Sequence, residues 1–484
     1  MQGDREDKRM GKTLIEKILS DHTAVELDDR RRLIYVDRIF LHERTGSIAL
    51  QSLHESGRTV ARPKQVFCTM DHIVDTFPGR GDETLMPSGT QFIRATREAA
   101  RQAGITLFDV RDEKQGIAHV VAAEQGIALP GLTMVCPDSH TCTLGGLGCL
   151  AWGIGSTEAE HALATRTLEL RTAKTMRVTF DGELCPGVTA KDMILHLIAH
   201  YGANGGAGYV VEFAGSAIRA LEVEQRMTLC NMAVEFSAVT GLVAPDDKTI
   251  DYVRGRPYAP RGEQWKQAVN YWQTLRSDSD AVFDREIRIN ARGIAPSVSW
   301  GINPEQTIAI DERIPSPDGG SERQTYMQRA LDYMALEAGA PLAGTPIDAV
   351  FIGSCTNSRL SDLRAVAAFL EGKKVAPGID AVCVPGSTQV KRAAEAEGIH
   401  IILKAAGFEW RESGCSMCFY AGGETFGAGK RVLSTTNRNF QNRQGPGVRT
   451  HIASPLTVAA SAVAGVISDP REVSSMPAIR ENHR

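Results

Sequence analysis

The stretch "DAVFIGSCTNSRLSDLRAVAAFLEG", residues 348–372, combines a continuous apolar run, a short polar loop and an amphipathic pattern. We predict a strand for "DAVFIG" and a helix for "LSDLRAVAAFLEG", with Ser361 as its N-cap and Gly372 as its stop. The segments "DAVCVPG" and "TQVKRAAEAEG", within 380–398, repeat the same order. Strands that alternate with helices in this way predict a parallel α/β sheet.

Three cysteines stand out by their positions. Cys355 directly follows the predicted strand, at the sheet edge where α/β proteins bind ligands, and a helix N-terminus there favours a thiolate. Further along, "SGCSMC" supplies Cys415 and Cys418. A redox dithiol and a zinc clip remain open alternatives, although a structural zinc site needs a fourth ligand. A four-iron cluster held by three thiolates keeps one iron open as a Lewis acid, which suits the addition or removal of water.

Composition limits the classes of protein. The chain has 484 residues, enough for two to four domains, with 42% hydrophobic and 23% charged residues. Its net charge of −4 gives no electrostatic case for binding nucleic acid or a membrane. The first residues lack an apolar signal core, and no apolar run approaches the roughly 18 residues of a membrane helix. We expect a cytoplasmic protein whose ten cysteines are not paired in disulfides.

Short polar motifs elsewhere offer acid–base pairs and carboxylate binders. The candidates are Asp71 and His72 in "MDH", His119 in "GIAH", Asp138, Ser139 and His140 in "PDSHT", Asn231 and Glu235 in "CNMAVE", and Arg438 and Arg443 in "NRNFQNR". A histidine beside a carboxylate can be held in one tautomer, and an arginine binds a carboxylate through two parallel hydrogen bonds. Taken singly, each candidate is equally compatible with a helix cap, a core histidine or a surface charge.

Together these motifs resemble the aconitase superfamily over about residues 30–460. The segments that carry the resemblance include "FCTMDH", "GIAHVVAAEQG", "GIGSTEAEHALAT", "FIGSCTNSR", "AGFEWRESGCSMC" and "STTNRNFQNRQGPGVRTHIASP". The resemblance implies an α/β fold of three α/β/α domains around one [4Fe–4S] cluster per subunit. It implies an N-terminal helical segment at 1–30, the first two domains at 31–345 and the third, with the cluster cysteines, at 346–484.

The resemblance also implies residue roles. Cys355, Cys415 and Cys418 would hold the cluster. The catalytic pairs would be Asp71 with His72, which protonates the departing hydroxyl, His119 with Asp138, and His140 with Glu235. Arg438 and Arg443 would bind substrate carboxylate, and Ser139 and Asn231 would line the cluster and the substrate. Adjacent strand residues point to opposite faces, so contact between Asp71 and His72 requires a turn.

The implied reaction is hydro-lyase chemistry on a small 2-alkylmalate. The expected substrate pair is 2-isopropylmalate and 3-isopropylmalate, interconverted through isopropylmaleate in leucine biosynthesis, with 2-methylmalate or homocitrate as alternatives. The family's catalytic Gly-Ser-Ser-Arg motif does not occur in the sequence. We therefore expect a small partner subunit that carries the swivelling domain, and no nucleic-acid or membrane partner.

Departures from the family pattern lie beside the site motifs. They are Leu144 in place of a histidine, Ser413 after Glu412 in place of a proline, "FYAGG" at 419–423, and "TGSI" at 45–48. They bear on the substrate's side chain rather than on the reaction class. A cluster-free RNA-binding regulator is the distant alternative, but it lacks a basic surface here. A zinc-stabilised structural protein would leave the carboxylates and arginines unexplained.

Overall fold

Three parallel β-sheets organise residues 11–473, the part of the chain that the computed structural model describes. The first sheet contains, in spatial order, Thr106–Phe108, Val66–Thr69, Arg38–His42, Thr133–Cys136 and Leu150–Gly153. The second contains Thr240–Leu242, Tyr209–Ala214, Lys174–Asp181 and Arg285–Asn290. The third contains Glu409–Trp410, Asp380–Cys383, Ala349–Ile352, Arg431–Ser434 and Arg449–Ile452.

All three sheets share one strand order. Numbered along the chain within each sheet, the strands are arranged 3-2-1-4, and a fifth strand follows the fourth in the first and third sheets. The second and third strands are therefore added on one side of the first strand, and the fourth strand is added on its other side. In open parallel sheets, ligands bind at the carboxyl ends of the strands on either side of such a switch point. The topology alone thus marks one edge of each sheet as the place for a site.

Helices connect the parallel strands and cover the sheet faces. They are Leu14–His22, Gly46–Glu55, Gly89–Ala103, Ala118–Glu124, Ser156–Thr165, Ala190–Tyr201, Ser216–Ala220, Val223–Asn231, Asp247–Val253, Gly262–Trp272, Ser321–Met334, Leu360–Leu370, Thr388–Ala396, Ile399–Ala406, Pro455–Ala464 and Pro470–Val473. Turns of 3-10 helix occupy Pro63–Gln65, Ser139–Leu147, Met232–Phe236, Ala291–Gly293 and Ser416–Cys418. Among the described helices, none is both long and apolar enough to cross a bilayer.

Two small antiparallel sheets complete the described chain. One contains Thr23–Asp28, Arg31–Tyr35 and Thr167–Arg171, and the other pairs Ser297–Ser299 with Thr307–Ala309. The N-terminal segment predicted as helical is therefore a helix at Leu14–His22 followed by a strand. Its first ten residues lie outside the described part.

The predicted α/β class with parallel sheets is confirmed. The two strands predicted within 348–398 pair in the third sheet, and each is followed by its predicted helix, Leu360–Leu370 or Thr388–Ala396. The predicted N-cap is wrong. The helix begins at Leu360, and the Asp362 carboxylate accepts the backbone N–H groups of Ser358 and Arg359 at 3.0 and 3.1 Å. A carboxylate in the first turn reaches back to these free N–H groups better than Ser361 does.

Hydrophobic cores cover the faces of the three large sheets, and the first core, around the first sheet, also includes Val210 and Leu242 of the second. The core around the third sheet includes Val298, Trp300 and Met327, which precede the predicted third domain, as well as Val350. The first core includes Trp272, at the end of the helix Gly262–Trp272. The polar and aromatic composition of residues 253–285 predicts a surface segment; most of its residues are exposed, and the buried Trp272 anchors it. The domain boundaries at 30 and 345 stay predictions.

The 3-10 segment Ser139–Leu147 packs against the second sheet by direct contact between backbones. A Cβ at Gly145 would overlap the backbone carbonyl oxygen of Gly241, which lies in the strand Thr240–Leu242. The Gly145 carbonyl also accepts the Val243 N–H at 2.9 Å. This contact fixes the segment that begins with Ser139 and His140, so a backbone approach that only glycine permits positions two predicted site residues.

We expect Gly145→Ala to lower the melting temperature of the protein. Overpacking a close contact costs about 1–3 kcal/mol, and here the opposing atom is backbone and cannot rotate away. Gly293→Ala is the matched control, because nothing lies within 4 Å of a Cβ at Gly293. Thermal unfolding followed by circular dichroism measures both. Equal melting temperatures for the two variants would contradict the close packing at Gly145.

Candidate active site

One cavity collects most of the predicted site residues. It has a volume of about 360 Å³ and lies beyond the carboxyl ends of the central strands of the first and third sheets. Ten of the thirteen predicted residues line it, namely His72, His119, Asp138, Ser139, His140, Cys355, Cys415, Cys418, Arg438 and Arg443. A larger cavity of about 850 Å³ lies between two surface helices, and none of the predicted residues lines it.

The other three predicted residues lie directly behind the cavity wall. Asp71 contacts His72, Glu235 contacts His140, and Asn231 contacts Cys355. All thirteen predicted residues therefore belong to one connected group. Their roles in catalysis and binding stay predictions.

Buried amides surround the Cys355 thiol. Asn231 and Asn437 each direct a side-chain N–H towards its sulfur, at 3.2 and 3.5 Å. In the protein without a metal, burial raises the pKa of Cys355 to about 12 and that of Cys415 well above its usual value. The two amide donors favour a negative sulfur and so oppose part of this effect of burial.

A buried carboxylate holds the Cys415–Cys418 turn. Glu424, only 3% exposed, accepts the hydroxyl protons of Ser416 and Thr76 and a guanidinium N–H of Arg411. Ser416 has φ of +47°, a strained conformation for a residue other than glycine. The carboxylate thus secures a tight turn that directs two thiols into the same cavity.

The same turn is tied to the first sheet. The Cys415 N–H donates to the Asp71 backbone carbonyl at 2.8 Å. The position of Asp71 and His72 is therefore linked by backbone to the position of the thiols.

His72 lies between two carboxylates. Its Nδ1 is 2.6 Å from Asp71 Oδ1, and its Nε2 is 3.2 Å from Asp138 Oδ2. Burial opposes a charge on His72, but the negative charges of Asp71 and Cys415 and the hydrogen bonds to both carboxylates outweigh it and raise its pKa well above the usual value. His72 is therefore protonated at neutral pH. The strand ends at Thr69, so the required turn is present and lets Asp71 and His72 touch.

The buried Glu43 carboxylate holds the turn at residues 71–73. Its carboxylate accepts the backbone N–H groups of Asp71, His72 and Ile73, the first two at 3.0 and 2.7 Å. Burial and the nearby charge of Asp71 raise the pKa of Glu43 to about 7. His42 stacks on His72, with ring centres 4.1 Å apart, and burial and the charge of His72 lower the pKa of His42 to about 4. A neutral ring therefore packs against a charged one.

Asp138 connects the three predicted histidine–carboxylate pairs. Its Oδ1 is 3.1 Å from His119 Nε2 and accepts the His140 backbone N–H at 2.7 Å. Burial alone would raise the pKa of Asp138, but His119 and His72 lower it well below the usual value. The Asp138 carboxylate is therefore ionised, and it orients the rings of His119 and His72.

Glu235 connects His140 to Arg438. Its Oε1 lies 3.0 Å from His140 Nε2 and accepts the Arg438 Nε–H at 2.6 Å. Burial, together with the positive charge of Arg438, outweighs the influence of Glu235 and lowers the pKa of His140. His140 is thus neutral at pH 7, while one edge of the Arg438 guanidinium is occupied by a protein carboxylate.

Arg443 differs from Arg438. It is only 8% exposed, and its Nε has no hydrogen-bond partner among the described residues. Its Nη2 lies 4.0 Å from Cys418 Sγ. The ring of Phe419 lies between Arg443 and Arg44, at 4.6 and 4.8 Å from their guanidinium carbons. The stacking holds a guanidinium at the cavity without neutralising it, which leaves it available to an anion.

The departures from the family pattern have defined places. Leu144 is fully buried in the first core, and the Ser413 hydroxyl donates to Gln115 Oε1 at 2.6 Å. Phe419 lines the cavity, and so does Thr45 of the segment 45–48. The substitutions near the third cysteine therefore reach the cavity, whereas the one at Leu144 does not.

Sequence reasoning missed several residues of the site. His42, Arg44, Phe419 and Asn437 line the cavity, and Glu43 and Glu424 support it. A signal existed for His42 and Arg44: "HER", residues 42–44, lies at the carboxyl end of the strand Arg38–His42. No comparable signal marks Glu424, whose role depends on contacts across the fold.

Comparison with known proteins gives one consistent family. A model described as the Aconitase family (aconitate hydratase) matches residues 16–465. The 3-isopropylmalate dehydratase large subunit 1 of Bradyrhizobium diazoefficiens is 53% identical over 473 residues, 97% of this chain and 99% of that protein. A solved structure, the Delta-pyrroline-5-carboxylate dehydrogenase from Mycobacterium tuberculosis, has a TM-score of only 0.14 at 11% identity, covering 57% of this chain and 52% of that one, and does not bear on the fold. The family model and the near full-length relative agree: the chain belongs to the aconitase family.

Proposed function

We propose that this chain is the large subunit of a 3-isopropylmalate dehydratase. Such an enzyme interconverts 2-isopropylmalate and 3-isopropylmalate through isopropylmaleate in leucine biosynthesis. The relative of that name spans 97% of the chain. The observation that carries the proposal is the presence of three thiols, two histidine–carboxylate systems and an unpaired buried arginine around one cavity. The proposed location is the cytoplasm, where thiols stay reduced.

The donor set around the cavity fits a [4Fe–4S] cluster held by Cys355, Cys415 and Cys418. No fourth cysteine lines the cavity in the described chain, and His72 and His119 are engaged with carboxylates. A structural zinc ion would need a fourth ligand that these residues do not provide. What the cluster supplies when bound is a Lewis acid that assists the departure of hydroxide.

His72 is the proposed proton donor to the departing hydroxyl. Asp71 holds Nδ1 at 2.6 Å and favours the protonated ring, and Nε2, 3.2 Å from Asp138, is the atom that would deliver the proton. The Asp71 carboxylate also accepts the Ala118 N–H at 2.9 Å, at the start of the helix that carries His119. An oriented acid loses little entropy on reaching the transition state. In the reverse direction, neutral His72 would take the proton back.

The arginines are the proposed carboxylate binders. Arg443 forms no ion pair with a carboxylate among residues 11–473, and its Nε has no hydrogen-bond partner there, while Arg438 keeps its remaining N–H groups after pairing with Glu235. The two carboxylates of a dicarboxylate substrate would accept hydrogen bonds from both arginines. Ile117, Pro137 and Phe419 give the cavity an apolar portion suited to an alkyl branch.

The remaining requirement is a base for the carbon-bound proton. His72, His119 and His140 are bonded to carboxylates, and His42 contacts the Pro137 carbonyl through Nε2 and stacks on His72. The sequence contains no Gly-Ser-Ser-Arg motif. We propose that a small partner subunit supplies this base and closes the cavity over the substrate.

Replacing any one of Cys355, Cys415 and Cys418 by serine should abolish the broad visible absorbance of the reconstituted cluster and the activity together. A neutral hydroxyl is a poor substitute for a thiolate ligand. Cys383→Ala is the control, since Cys383 is buried in the third sheet away from the cavity. Iron and sulfide analysis with the visible spectrum provides the measurement. A serine variant that keeps four irons and normal turnover would contradict the ligand assignment.

Arg443→Lys should lower kcat/KM for 2-isopropylmalate by about 30-fold to several-thousand-fold. An ammonium cannot form the two parallel hydrogen bonds, and the scale of a broken buried charge pair is about 2–5 kcal/mol. Arg392→Lys, at an exposed ion pair with Glu113, is the control and should be neutral. Steady-state kinetics with a panel of alkylmalates measures both effects. Wild-type kinetics for Arg443→Lys would remove this residue from the site.

The chain alone should bind a cluster but form essentially no isopropylmaleate. Adding increasing amounts of a small subunit should restore turnover until the two are equimolar, because the partner completes the acid–base set. Isopropylmaleate is followed by its ultraviolet absorbance. A substantial rate without the partner, unchanged on adding it, would show that this chain has its own base.

A further inference from the structure

Lys191 is a fully buried cation at the start of a helix. It is the second residue of the helix Ala190–Tyr201, and its exposed fraction is 0%. The helix dipole disfavours a positive charge at this end, and removing an ammonium group from water is costly unless it is paired. Some other feature of the fold must therefore stabilise it.

The ammonium group donates to two backbone carbonyls. Lys191 Nζ lies 2.9 Å from the Thr435 oxygen and 2.6 Å from the Thr436 oxygen. These carbonyls immediately precede Asn437 and Arg438, both of which line the cavity. Lys191 thus ties a helix beside the second sheet to a loop of the third sheet that carries two cavity residues.

No carboxylate among residues 11–473 forms an ion pair with Lys191 in the structure. Its neighbour Asp192 is fully engaged elsewhere, accepting the N–H groups of Ser297 and Thr189 at 2.9 and 2.8 Å. Burial lowers the pKa of Lys191 to about 7.

The groups whose negative charge favours the ammonium form are, in decreasing order, Cys418, Asp362, Cys355 and Asp192. Asp362 already accepts the Ser358 and Arg359 N–H groups. Two of these four groups are therefore the proposed cluster ligands.

We propose that Lys191 is a positioning residue of the cysteine site. Its ammonium group fixes the loop that carries Asn437 and Arg438. The same loop reaches the cysteine site, because the Asn437 side-chain N–H donates to Cys355 Sγ at 3.5 Å. This inference rests on the proposed function for the presence of the cluster, but the loop contact is a property of the chain itself.

The test compares three variants of the full chain. Lys191→Met removes both charge and hydrogen bonds, and Lys191→Gln removes the charge but keeps a donor. Lys248→Met is the matched control, because Lys248 also donates to two carbonyls, those of Ala220 and Leu221, but lies at the surface beside Glu222. Iron loss to a chelator is followed by visible absorbance, and hydrogen exchange in the 435–439 loop is followed by mass spectrometry on iron-free protein.

We expect both Lys191 variants to lose iron about 10- to 100-fold faster than wild type, the usual range for residues that support metal ligands. We expect faster exchange in the 435–439 loop for Lys191→Met and no change in either measurement for Lys248→Met. Wild-type iron retention in both Lys191 variants would overturn the link between the loop and the cysteine site, and unchanged loop exchange in iron-free Lys191→Met would overturn the positioning role. A wild-type chain that takes up no iron would instead refute the proposed function, and the exchange result would still decide the loop contact.

Discussion

Parallel strands covered by helices leave only the loops at the carboxyl ends free to present polar groups to one another. This constraint governs the whole molecule, because the first and third sheets place the loops of their first and fourth strands around the same cavity. The second sheet contributes from the side, through the helix ending at Asn231 and the turn carrying Glu235. The site is thus a consequence of the shared 3-2-1-4 strand order rather than of any single motif.

Charge balance explains the order within this site. Asp138 is ionised because two histidines share it, and His72 is protonated because two carboxylates flank it. Arg438 is paired with Glu235. Arg443 and Lys191 are both buried, and neither forms an ion pair in the described chain. An anionic substrate would complete the balance at Arg443, whereas Lys191 is satisfied by the two loop carbonyls that position Asn437 and Arg438.

Much of the site could be predicted from the sequence because its residues follow strands in short, distinctive motifs. Cys355 after "DAVFIG" and Arg438 in "NRNF" are positioned by local structure, and local structure is what periodicity and turn residues encode. Glu43, Glu424 and Lys191 could not be predicted, because no local sequence pattern marks them. Their roles arise from contacts with residues far away in the chain, such as Glu424 with Thr76 and Lys191 with Thr435. The N-cap predicted at Ser361 was wrong because the helix already begins at Leu360, and the Ser361 N–H donates to the distant Glu224 carboxylate at 2.9 Å.

The central claim is that three thiols hold a four-iron cluster and leave one iron open to substrate. Mössbauer spectroscopy of the iron-57-reconstituted chain with its partner tests it most directly. The account predicts two populations of iron in a ratio of three to one, with only the minor population changing its isomer shift when 2-isopropylmalate is added. Four equivalent irons that do not respond to substrate would contradict it.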